Sequence, residues 1–134
     1  MDDFRQMINV DELTSDDTVT LARAAAEAIR GLNHATRHQA GLGQPSAAYD
    51  VLGALSLAAS RIGQALAQIT RYLDRALAAG RLGHDPARAV DATTVFLCDA
   101  AASAAALAGD LDAAQQQLAP VNGRPARPGR KDTR

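Results

Sequence analysis

Hydrophobic and polar positions along this chain fall into three stretches with the three-four spacing of amphipathic helices. In the first, Val19, Ala22, Ala26, Ile29, Asn33 and Thr36 share one side. Ser15, Asp16 and Asp17 precede or open it as N-cap and first-turn acids, and Gly41 stops it. The second starts at Pro45 and Ser46. It carries Leu52, Leu55, Ala59, Ile62, Leu66, Ile69, Leu73 and Ala76, an unbroken seam of coiled-coil type that Gly80 and Gly83 end. The third starts at Asp85-Pro86, a cap followed by proline in the first turn. Its stripe is Val90, Thr93, Leu97, Ala100, Ala104, Leu107, Leu111, Ala114 and Leu118, closed by Pro120. These patterns predict helices over 16–39, 46–79 and 86–119. The last two would each run roughly 50 Å, at 1.5 Å per residue. The short loop between them makes them antiparallel neighbours. No segment alternates with period two, so no sheet is expected.

The expected fold is therefore all-α: a three-helix bundle over 15–119, built on a long antiparallel helical hairpin. Residues 1–14 read as an acidic, partly ordered segment, in which Phe4, Met7, Ile8 and Leu13 could make an amphipathic turn or two. Residues 120–134, with three prolines and five basic side chains, read as a disordered basic tail.

Composition sharpens this picture. Alanine occurs 31 times and aromatics make up 3% of the 134 residues. Alanine is the strongest helix former but buries little area, so the helices must pack with their backbones close. The third helix also carries a second small-residue face: Cys98, Ala101, Ala102, Ala105 and Gly109. Either the first helix or the N-terminal turns cover that face, or it receives another copy or a helical protein partner. Asn33, polar on a buried stripe, reads as a residue that sets register.

Candidate chemistry is sparse. His34 and His38 lie four residues apart with Arg37 between them, just before the Gly41-Leu42-Gly43-Gln44-Pro45 break. The simplest reading is a set of cations complementing the end of one helix, with Asp50 at the start of the next. The same residues, His34, Arg37 and His38, could also contribute to an anion pocket beside the free N–H groups of the following helix. Two histidines without a third ligand are not a metal site, and no metal or cofactor is expected. No nucleophile or acid-base constellation is visible, so the chain reads as a non-enzyme. The lone Cys98 excludes an internal disulfide, and no secretory signal is read. The tail cations Arg124, Arg127, Arg130 and Lys131 could touch phosphates, weakly and in a salt-dependent way, since no aromatics are interleaved for base stacking. A membrane span is not expected, because the most apolar stretch, 92–109, holds Asp99 and is mostly alanine.

The run LNHATR and the run YDVLGALSLAASRIGQALAQITRYLD, together covering about Gly31 to Gly83, resemble a group of small alanine-rich helical proteins of actinobacteria. The resemblance implies a bacterial, cytoplasmic helical protein. It implies no activity and no functional residues. The expected function is a non-catalytic helical interaction or self-association module. The alternative is an accessory nucleic-acid-binding protein that uses the basic tail.

Overall fold

The structure, a computed structural model, describes residues 12–121. The expectations for residues 1–11 and for the basic tail beyond Val121 lie outside it. Among the described residues there is no strand. Four α-helices follow in order: α1 (Ser15–Thr36), α2 (Gln39–Leu42), α3 (Pro45–Ala78) and α4 (Pro86–Leu118), then a 3-10 turn over Ala119–Val121. The chain divides between Gly43 and Gln44 into two compact units. The first holds α1 and α2, the second α3 and α4.

In the first unit the cap sits one residue earlier than the sequence suggests. Thr14 is the N-cap of α1: its hydroxyl accepts the Asp17 N–H at 3.2 Å, and the Asp17 carboxylate accepts the Thr14 N–H at 3.0 Å. This is a capping box with aspartate in the third position. These bonds, the backbone one first and the side-chain one second, hold the Asp17 carboxyl below its ordinary pKa.

Helix α1 ends at Thr36, short of the expected 39. The Thr36 hydroxyl donates to the Leu32 and Asn33 carbonyls, and the Arg37 N–H bonds back to His34 in a tightened last turn. His38 is extended, at φ −110° and ψ 137°, and α2 then makes one more turn. Gly41 is thus not a stop but a point of close approach. A Cβ there would drive into the Ala35 carbonyl, so only glycine lets α2 fold against the end of α1.

The second unit is the expected hairpin. Pro45 and Pro86 each occupy the first turn of their helix, where the missing N–H costs nothing. Asp85 precedes α4 as expected, but its side chain makes no cap bond. It is instead the left-handed turn residue, at φ 48°, a conformation aspartate tolerates better than most. Helix α3 ends in a Schellman motif: the Gly80 N–H reaches Leu77 and the Arg81 N–H reaches Ala76, with Gly80 at φ 69°. At the far end of α4, Pro120 lacks the N–H an α-turn needs, and the chain tightens into the 3-10 turn before the expected tail.

Antiparallel order follows from three cross-helix approaches. The Gln115 amide donates to the Tyr49 carbonyl at 3.1 Å, and the Ser56 hydroxyl to the Ala108 carbonyl at 2.9 Å. Gly63 lies opposite Ala101 and Ala104. A serine hydroxyl reaches a facing backbone carbonyl only when the helices are close, which the small residues permit. Gly53 helps in the same way, since a Cβ there would meet the Gln115 amide on its path to Tyr49.

The seam differs from the predicted one in alternate positions. On α3 its buried and half-buried members are Leu52, Ser56, Ala59, Gly63, Leu66, Thr70, Leu73 and Leu77, with the expected Leu55 half-buried and the expected Ala76 fully buried beside them. On α4 they are Val90, Thr94, Leu97, Ala101, Ala104, Ala108, Leu111, Gln115 and Leu118. The expected Ile62 and Ile69 give way to Gly63 and Thr70. Thr93, Ala100, Leu107 and Ala114 give way to their successors, Thr94, Ala101, Ala108 and Gln115. Where the two candidates differ in size, at Ile62/Gly63, Ile69/Thr70 and Leu107/Ala108, close packing of backbones selects the smaller one; at Ala114/Gln115 the Gln115 bond to Tyr49 selects the larger. The result is a thin core: the buried apolar side chains are Ala59, Ala76, Val90, Ala104 and Ala108.

Candidate helix-docking surface

Displacing the large residues from the seam puts them on the surface. Ile62 is 53% exposed, Ile69 47%, Tyr72 52%, Phe96 74% and Leu107 51%. Their register places them together. Ile62 and Ile69 stand three residues after the seam positions Ala59 and Leu66, and Ala100 and Leu107 stand three after Leu97 and Ala104. In an antiparallel pair the helices turn in opposite senses and face opposite ways. An equal shift along the sequence therefore carries both sets to the same side. Phe96 and Tyr72 lie one step further round on that side.

Between these residues lie Leu55, Ala58 and Ala65 on α3, and Thr93 and Ser103 on α4. From Val51 to Ala76 on α3, and from Ala89 to Leu107 on α4, this side carries no charge. Asp110 borders its end. The hairpin's other charges, Arg61, Arg71, Asp74 and Arg75 on α3 and Arg88, Asp91, Asp99 and Asp112 on α4, fall on other sides by the same register. The result is a contiguous apolar patch on an otherwise charged hairpin. At one corner the Arg81 guanidinium sits 5.9 Å from the Tyr72 ring centre and covers the aromatic face.

The expected small-residue face of α4 takes a different place. Ala101 belongs to the seam, half-buried against α3. Cys98, Ala102, Ala105 and Gly109 are exposed, on the opposite flank of α4, near Asp91 and Asp112 in register.

The histidine stretch spans the end of α1 and the start of α2. The His34 and His38 rings meet edge to face, their centres 6.1 Å apart, and Arg37 is the C-cap between them. A shallow depression of about 290 Å³ on α1 is lined by Glu27, Arg30, Gly31 and His34. Its arginine is engaged by the Glu27 carboxylate at 3.4 Å. Arg37 and His38 do not line it. Among the described residues no group of three His, Cys, Asp or Glu side chains is placed to hold a metal ion. A second depression of about 290 Å³, at the hairpin turn, is lined by Leu73, Leu82, Gly83, His84, Pro86, Ala89, Val90 and Thr93. It is mostly apolar, and His84 is the one titratable group at its rim. The tail residues Arg124, Arg127, Arg130 and Lys131 lie outside the described residues.

By length and composition α4 with its following turn, Pro86–Val121, is apolar enough to cross a membrane. It also carries Asp91, Asp99, Asp110 and Asp112, each costly in a bilayer. Compared with known protein families, curated proteins and solved structures, the chain matches none.

Proposed function

We propose that the protein is a non-catalytic helical interaction module whose working surface is the charge-free strip on α3 and α4. The observation that carries this is the exposure of Ile62, Ile69, Phe96 and Leu107 along one uncharged side of a two-helix layer. A hairpin with one covered face and one open apolar face gains stability when an amphipathic helical surface lies across the open one.

The test compares the full chain with the double variant Ile62→Glu/Ile69→Glu. Both side chains are exposed, so helicity by circular dichroism should be unchanged. Affinity purification of the tagged chain from its host should retain a discrete polypeptide, its own chain or another, that the variant loses. Identical retention by the two proteins would overturn the proposal.

A second reading rests on α1, in which no residue is buried. Its stripe of Val19, Ala22, Ala26 and Ile29 also lacks a cover. In this reading α1 is the third helix of a three-helix bundle and lies on the strip within one chain, and Cys98, Ala102, Ala105 and Gly109 then offer the face for a partner. Ile29→Glu would in that case lower the melting temperature of the hairpin as much as Ile62→Glu does. No change in the hairpin's melting would rule the reading out.

A further inference from the structure

The geometry points to a second copy of this chain as the occupant of the strip, with two hairpins packed face to face as a four-helix bundle. This inference rests on the reading of the strip as a docking surface and names its partner.

Area is the first argument. Five large side chains, each about half exposed or more, with the alanines between them, present on the order of 800 Å² per copy, which is about what each partner contributes to a standard stable interface. A single helix such as α1, whose large exposed residues on its stripe are Val19 and Ile29, covers much less of a surface two helices wide.

Charge is the second. A partner strip identical to this one brings no charge to its middle, and its one cation, Arg81 over Tyr72, stands at a corner where water still reaches it, so neither copy buries an unpaired ion at the centre. The whole chain carries a formal charge of −1, so long-range repulsion between copies is slight.

Shape is the third. The strip runs from Leu55 to Tyr72, roughly 26 Å at 1.5 Å per residue. Large and small residues alternate along it: Leu55, Ile62, Ile69 and Tyr72 stand out from Ala58 and Ala65 on α3, and Phe96 and Leu107 from Ala100 and Ser103 on α4. Two helices side by side form a groove, and a second pair fills it by interdigitation, as in other four-helix assemblies.

Sedimentation equilibrium of the full chain, from micromolar to submillimolar concentration, tests this. A dimer is expected, and Ile62→Glu/Ile69→Glu should weaken it by about a hundredfold or more, as loss of central apolar anchors does. Ala102→Glu, on the opposite flank, should leave it intact. A monomer throughout, with Ile62→Glu/Ile69→Glu melting like wild type, overturns the second copy but leaves the strip open for a different partner. A monomer whose melting collapses in that variant overturns both, because the strip is then covered within one chain. A dimer broken by Ala102→Glu and not by the isoleucine changes overturns this placement and moves the interface to the Cys98 flank.

Discussion

At the scale of single residues, the glycines and hydroxyls of the hairpin decide how closely α3 and α4 approach. Gly63 has its nearest would-be Cβ neighbours at 3.8 Å, which is room for a methyl group and no more. Gly63→Ala should therefore stabilise the hairpin by about 1 kcal/mol, the helix-propensity gain. Gly63→Leu should destabilise it by about 1–3 kcal/mol through overpacking. Thermal melts of the two variants read both signs. Thr94 contributes a buried hydroxyl with no hydrogen-bond partner. Thr94→Val removes that orphan and should raise stability by about 1 kcal/mol; a loss of stability would show that the hydroxyl is satisfied in solution. Asp17 gives a pH signature. Its carboxyl titrates below the ordinary value because Thr14 bonds the ionised form. Its support for α1 is thus full above the ordinary carboxylate pKa and fades as pH falls through the lowered one. Helicity of α1 should show that acid dependence, and Thr14→Ala should remove it. The paired histidines contribute less. Changing His34 and His38 together to Gln should cost about 1 kcal/mol or less, since exposed pairing is weak. A phosphate-induced rise in melting temperature that vanished in this variant would instead establish an anion pocket.

At the scale of elements, three long helices and their approximate ends were legible because proline, glycine and apolar spacing all act locally. The seam was legible in half of its layers and more: Leu52, Ala59, Leu66, Leu73 and Ala76 on α3, and Val90, Leu97, Ala104, Leu111 and Leu118 on α4, fell where the pattern put them. The layers between were misassigned. Ile62 stands beside Gly63, Ile69 beside Thr70 and Leu107 beside Ala108. A hydrophobicity count prefers the larger residue each time, but the interior of a close-packed hairpin prefers the smaller. The signal that could have found this is the seven-residue recurrence of small or hydroxyl residues, Ser56, Gly63 and Thr70, against Thr94, Ala101 and Ala108. The exposed apolar strip was not legible for the same reason, since the apolar spacing assigns Ile62, Ile69 and Leu107 to the core. The break after Thr36 was missed because a threonine hydroxyl and a glycine approach, not a helix-stopping residue, produce it. Ser56→Ala should cost about 1 kcal/mol in a thermal melt, the net worth of one hydrogen bond to Ala108. Ser56→Leu, which must push the helices apart, should cost more and break the Gln115–Tyr49 bond at the next layer.

At the scale of the whole molecule, a hairpin with a thin alanine core and an open apolar side is held weakly by its own contacts. Burying few large side chains leaves little to oppose the entropy of ordering some seventy residues. In the proposed pairing, association adds to folding stability, and the melting temperature of the full chain should rise with protein concentration. The most direct measurement is side-chain methyl NMR of the full chain across a dilution series. Association through the strip requires the Ile62, Ile69 and Leu107 methyl signals to move with concentration, while Leu57 and Val95, exposed on other sides of the hairpin, stay fixed. Signals of Ile62 and Ile69 that do not change with concentration, or a shift confined to Leu57 and Val95, would contradict the account.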